Sequence, residues 1–158
     1  MQKNKDLFES IEKGAGQVLE DFLLEGKEQY EISKAEFMYR NYNSLRDFMT
    51  LRIMRQGAKL PLFKKQKQII EKKFKNELLR KALQYQTVLL GTAPGDTPGI
   101  YTLMNYVDLV LGEWYPTGGI RSIPMSLEKI SKKYNTEIKL NTAVAQIIVE
   151  NNMAKGVL

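Results

Sequence analysis

The sequence changes character at Gly112, and that change constrains the fold more than any single motif. Upstream, apolar residues recur at helical spacing in one segment after another. Downstream come short strand-like runs separated by glycine, proline and asparagine. Such a chain is expected to be α+β and mostly helical. The expected organisation is a helical region over residues 1–112, then a glycine turn, one helix and three short strands over residues 113–158. A chain of 158 residues is long enough to bury a core.

Between Gly16 and about Tyr42, Leu19, Phe22, Leu23, Tyr30 and Met38 recur at helical spacing, with Gly26 as a candidate break. Gly14-Ala15-Gly16 lacks the preceding strand and the third glycine of a dinucleotide fingerprint, and reads as a helix start. Ser44-Leu45-Arg46-Asp47 has the form of a capping box, opening a helix to about Gln56 with Gly57 as its stop. Pro61 is expected to begin another helix, with Phe63, Ile70 and Phe74 on one stripe and Lys64, Lys65, Lys67, Lys72 and Lys73 elsewhere. Asn76 caps a further helix from Glu77 to about Leu90.

Gly91 to Asp96 is a loop by composition and has no Walker-type Gly-Lys-Ser/Thr after it. Thr97 and Pro98 read as the N-cap and first position of a helix carrying Ile100, Tyr101, Leu103, Met104, Val107, Leu109, Val110 and Leu111. That helix is apolar nearly all round, so it is expected to be buried or to line an apolar cavity. Past Gly112, Glu113-Trp114-Tyr115 reads as a short strand and Pro116-Thr117-Gly118-Gly119 as a turn. A helix from about Ile120 to Tyr134 follows, with Ile123, Leu127 and Ile130 on one face, Pro124 tolerated in its first turn and Asn135 as its stop. Strands are expected at Glu137–Leu140, Val144–Glu150 and Met153–Leu158, the last two joined by a two-residue turn at Asn151-Asn152. The run Gly156-Val157-Leu158 reads as the interior of an apolar strand, which predicts continuation in a longer protein.

The chain has no cysteine and no histidine. That removes disulfides, zinc sites with Cys or His ligands, thiol nucleophiles and Ser-His-Asp triads. Carboxylates, Lys, Tyr, backbone amides or a cofactor remain, and no residue stands out as a general base. The N-terminus is polar and charged and carries no visible secretory signal, so a cytoplasmic location is the default expectation. The net charge of +6 is concentrated between Lys59 and Lys81. Three readings of that stretch stay open: a solvated helix face, a peripheral contact with an anionic membrane surface, and nucleic-acid binding, which no accompanying motif supports.

Four pieces carry a family likeness. Leu79-Arg80-Lys81-Ala82 leads into Leu90-Gly91-Thr92-Ala93-Pro94; Ile100-Tyr101-Thr102-Leu103 opens the apolar helix. Gly112-Glu113-Trp114-Tyr115-Pro116-Thr117-Gly118-Gly119 and Ile138-Lys139-Leu140-Asn141-Thr142-Ala143-Val144 follow, with Gly156-Val157 closing the last strand. Together, in this order, they resemble the central region of phytoene desaturase-type carotenoid oxidoreductases, a group that includes carotenoid isomerases and retinol saturases. The likeness is clear from Leu79 to Leu158 and looser upstream, at Phe8 to Gly16.

The resemblance implies a plan similar to amine oxidases, with an FAD-binding domain built from both chain ends and an inserted substrate domain. This chain would correspond to the inserted region and the start of the return. The family's N-terminal dinucleotide fingerprint is absent here. On this resemblance Val144, Gly118 and Gly119 would lie by the cofactor, and Tyr101, Met104, Trp114 and Tyr115 by a long apolar isoprenoid-type substrate. FAD is implied for the longer protein, with none expected to bind this stretch alone. The lysines Lys64, Lys65, Lys67, Lys72 and Lys73 would suit a membrane surface, and no nucleic acid is expected. Two alternatives are a basic helical membrane-surface or interaction module, and part of an amine-oxidase-like flavoprotein.

Overall fold

The computed structural model describes residues 1–158, with the side chains of residues 45 and 48 excepted. It divides into two compact units, Met1–Glu113 and Trp114–Leu158. The architecture is mostly helical with a small antiparallel sheet near the C-terminus.

The first unit is organised around a long helix, α2 (Ala15–Ser33), which follows α1 (Gln2–Ile11). Ala15, Leu19, Phe22, Leu23 and Gly26 recur at helical spacing, and all five are buried. Against this stripe pack Phe8 of α1, Ile70 of α5 (Gln66–Lys73), Phe74 just beyond it, and Leu79 and Leu83 of α6 (Glu77–Gln84). Tyr106, the last residue of α8 (Leu103–Tyr106), joins them. Phe74 is fully buried, and its ring meets those of Phe8 and Phe22 edge-on at 5.9 and 6.0 Å between centroids. Burying a side chain of this size contributes about 1.5–3 kcal/mol, which makes this cluster the main stabilising feature of the unit.

Gly26 does not break α2. A Cβ there would lie 3.1 Å from Cβ of Tyr106, so glycine is what lets α8 approach so closely. The helix continues into a π-helical turn at Lys34–Met38, where Met38 is exposed rather than in the core. The expected helix from Ser44 to Gln56 is two: α3 (Leu45–Phe48) and α4 (Leu51–Gly57). Asp47 accepts from the backbone N–H groups of Asn43 and Ser44, each at 2.9 Å, while Thr50 adopts an extended backbone and caps α4 anew.

Pro61 starts no helix. Residues 61–65 form a turn whose far end pairs with the segment before α8: Gln66 N–H donates to the Thr97 carbonyl at 2.9 Å and Gly99 N–H to the Lys64 carbonyl at 2.7 Å. This pairing delays α5 to Gln66. Phe63 therefore leaves the stripe of Ile70 and Phe74 and is fully exposed.

Asn76 caps α6 as its sequence suggests, its Oδ1 accepting from Leu78 N–H at 2.9 Å. A turn at Tyr85 and Gln86 separates α6 from α7 (Thr87–Leu90), which ends on a left-handed Gly91. Thr97 caps nothing. Its hydroxyl turns back to the Ala93 carbonyl at 2.9 Å, and the following segment is a 3₁₀ turn (Gly99–Thr102), α8 and a π-helical turn (Val107–Leu111).

The second unit holds α9 (Ser122–Lys133) and a hairpin of β1 (Ile147–Glu150) and β2 (Met153–Val157). Pro124 falls in the first turn of α9, and Asn135, at φ 55°, ends the helix region. Asn151 and Asn152 take φ of 50° and 59°, the double left-handed geometry a two-residue hairpin turn requires. Ile147 faces Val157 and Glu150 faces Met153, with a bulge where Lys155 has no partner residue. The expected strands at Glu113–Tyr115 and Glu137–Leu140 do not form, since the only sheet among the described residues is this hairpin.

Candidate functional site

The seven residues singled out from the sequence fall in both units. Tyr101 and Met104 belong to the first, in the segment expected to be apolar and buried. That expectation fails in detail: Tyr101 is exposed and Met104 half-buried, and the residues buried along this segment are Thr102, Asn105 and Tyr106. Thr102 Oγ1 donates to the Gly99 carbonyl at 2.8 Å and lies 3.2 Å from Gln29 Oε1. Asn105 is fully buried, and its Nδ2 donates to the Thr102 carbonyl at 3.3 Å. A seam of Thr102 and Asn105 beside the buried Tyr106 thus joins this segment to α2, with Tyr101, Val110 and Leu111 left outward. The spacing of Thr102, Asn105 and Tyr106, one helical face, was the signal for it.

Trp114, Tyr115, Gly118 and Gly119 form a local group in the second unit, just ahead of α9. Trp114 is 89% exposed and Tyr115 76%. Gly118 and Gly119 have φ of 87° and 82°, a backbone that residues with a side chain rarely adopt. Gly119 N–H closes the turn onto the Pro116 carbonyl at 3.0 Å, and the Tyr115 hydroxyl lies 3.5 Å from where a Gly119 Cβ would stand. Beside Gly118, the only heavy atom within 4 Å of such a position is Ser122 Cβ, at 3.8 Å. The turn therefore offers bare backbone that a flat ligand edge can reach. Val144, also exposed, lies one residue before the backbone pairing of Ala145 with Leu158.

The first unit offers no phosphate cradle at Gly14-Ala15-Gly16. The carboxylate of Glu9 already occupies the Gly14 and Gly16 N–H groups, at 2.8 and 3.1 Å, and would repel a pyrophosphate. These two bonds hold the Glu9 carboxyl below the ordinary carboxylate range. Glu77 and Glu128 are lowered as well, by Lys81 and Lys132 one helical turn away. All three carboxylates serve helix ends or surface pairs, and none lies among the seven candidate residues.

Two adjoining clefts of about 540 and 360 Å³ run along the first unit and share Glu25, Gln29, Pro61 and Lys64. Their lining is mixed and basic, and includes neither Tyr101 nor Met104. A smaller groove of about 240 Å³, lined by Leu23, Leu24, Tyr106 and Val110 among others, is more apolar. The five lysines of the basic stretch are not equivalent. Lys73 pairs with Glu25 at 2.7 Å, Lys67 with Glu71 at 3.8 Å, and Lys65 bonds the Asp96 carbonyl at 3.1 Å. Lys64 and Lys72 have no such partner among the described residues. No helix among those residues is long and apolar enough to cross a membrane.

No protein-family model matches the chain. It is 29% identical over 149 residues, 94% of its length, to the zeta-carotene-forming phytoene desaturase of Myxococcus xanthus. It is 30% identical over 146 residues, 92% of its length, to the 4,4'-diapophytoene desaturase (4,4'-diaponeurosporene-forming) of Staphylococcus aureus strain Newman. In both cases the match takes up 29% of the relative, so the chain spans under a third of the length of the curated relatives it matches. The chain is thus similar to one stretch of proteins named as phytoene and diapophytoene desaturases. The similarity is broader than the motifs alone suggested, since a match over 94% of the chain takes in most of both units.

Proposed function

We propose that this chain forms the substrate-side part of an FAD-dependent desaturase, isomerase or saturase acting on a long apolar isoprenoid-type substrate. The observation that carries the reading is the similarity to two proteins named as desaturases across nearly the whole chain. FAD, when bound, supplies the hydride or electron chemistry. The chain's own residues bind and orient: Tyr101, Met104, Trp114 and Tyr115 provide apolar surface for the substrate, and the backbone at Gly118, Gly119 and Val144 meets the flavin. The open left-handed glycine turn fits that role. The Glu9-closed corner at Gly14 fits no pyrophosphate, so that corner is not the phosphate-binding part of an FAD site.

In this reading the enzyme is cytoplasmic and peripheral to the membrane, with the lysines of α5 and the turn before it toward the lipid that holds its substrate. The test is to express this stretch within its complete coding sequence and record the absorption spectrum. A yellow protein with bound flavin is expected; a complete protein that stays colourless and takes up no FAD on reconstitution overturns the reading. Titrating the 158-residue chain alone with FAD is expected to give no tight binding.

A further inference from the structure

The turn at residues 61–65 combines a firmly held backbone with a largest apolar side chain that is fully exposed. Leu60 is buried at one stem and Gln66 at the other. Between them Leu62 N–H donates to the Leu60 carbonyl at 2.8 Å across Pro61, and Lys64 is tied through its carbonyl to Gly99. Gly99 packs so closely beneath the turn that a Cβ there would lie 2.7 Å from the Pro61 carbonyl oxygen and 2.6 Å from Ile69 Cδ1. On this support Phe63 is 100% exposed, with Leu62 half-exposed beside it.

The charges around the tip are mostly positive. Lys59, Lys64, Lys65 and Lys67 flank it in sequence, and Lys72 lines the cleft that Lys64 and Pro61 border. The nearby acids Glu25, Glu28 and Glu71 are engaged by Lys73, Lys59 and Lys67, which leaves Lys64 and Lys72 uncompensated. A rigid apolar tip ringed by cations complements a surface that is anionic outside and apolar a few ångströms within.

We propose that this turn is a bilayer anchor: Phe63 and Leu62 enter the acyl boundary of an anionic membrane, while Lys64 and Lys72 face its phosphate headgroups. The anchor deepens the membrane part of the proposed function and rests on it. It assigns the contact to two apolar residues that the charge pattern alone does not single out.

Vesicle co-sedimentation of the 158-residue chain tests it, using neutral phosphatidylcholine and phosphatidylcholine mixed with phosphatidylglycerol across a salt series. Phe63→Ser is expected to weaken binding to the anionic vesicles about tenfold or more. The pair Lys64→Gln and Lys72→Gln is expected to weaken it by a similar factor, with a shallower salt dependence. Leu51→Ser, at another exposed apolar position, on α4, is expected to leave binding unchanged. Because the chain has no cysteine, Leu62→Cys can carry an environment-sensitive dye, whose emission is expected to shift to the blue on anionic vesicles. Binding that responds to the lysines but not to Phe63, or a dye that stays water-like, overturns the anchor and leaves a purely electrostatic surface contact. Absence of any vesicle binding overturns the membrane contact altogether, while the flavin spectrum decides separately on the desaturase reading.

Discussion

Glu9, in the last turn of α1, and Glu12, the extended residue just past it, each reach backbone N–H groups of a different segment. Glu9 serves Gly14 and Gly16 at the start of α2; Glu12 serves Lys75 and Asn76 at the start of α6, the latter at 2.7 Å. A carboxylate at a helix N-terminus satisfies donors that the helix itself leaves unpaired. The Glu9 carboxyl is held low in the folded chain, chiefly by its bond from Gly14 and then by that from Gly16. Its contribution to stability is therefore present above the ordinary carboxylate range and is lost as pH falls through the lowered folded value. Glu9→Gln is expected to lower the melting temperature at neutral pH, with the gap to the unmodified chain closing as the solution is acidified. Thermal melts by circular dichroism across a pH series check this, and a gap that widens on acidification would contradict it.

At the scale of elements, the hairpin of β1 and β2 owes its register to Asn151 and Asn152, whose left-handed backbone matches the twist of the strands. Asn152→Gly removes the residual cost of that conformation and is expected to strengthen the hairpin. Asn152→Val, with a branched side chain at positive φ, is expected to open it. Cross-strand nuclear Overhauser contacts between Ile147 and Val157 report both outcomes. Elements of this kind were legible in the sequence because their rules are local: Asn76 caps α6, Asn135 ends α9, and the two asparagines turn the hairpin. The helix expected from Pro61 was not, because the bonds from Gln66 to Thr97 and from Gly99 to Lys64 join residues about thirty positions apart. Residues 137–140 have the composition of a strand but no ladder partner. Among the candidate site residues, the left-handed pair Gly118 and Gly119 was legible from composition, whereas the outward turn of Tyr101 depends on the polar seam at Thr102 and Asn105.

For the molecule as a whole, the two units differ in what holds them. The buried cluster lies entirely within residues 8–106, and none of residues 114–158 is buried. Ile123, Leu127 and Ile130 of α9 all remain half-exposed or more. A helix of 12 residues and a two-stranded hairpin are each marginal in water without an apolar face to cover. The second unit is therefore expected to lose its structure at lower denaturant than the first. Trp114, the only tryptophan, lies in the second unit, while most of the helix lies in the first. Urea unfolding followed by tryptophan emission and by far-ultraviolet circular dichroism is expected to give two non-coincident transitions. Coincident curves would show that the units unfold as one.

The carboxylates of Glu9, on α1, and Glu12, just past its end, also set an order of events. The bond from Gly14 to Glu9 closes a separation of 5 residues; that from Lys75 to Glu12 closes one of 63. Short closures form early and long ones late, because ordering the intervening chain must come first. Glu9→Gln should therefore slow refolding, whereas Glu12→Gln should leave refolding nearly unchanged and speed unfolding. Stopped-flow refolding and unfolding of the two variants would separate the nucleus of this fold from its final clasp.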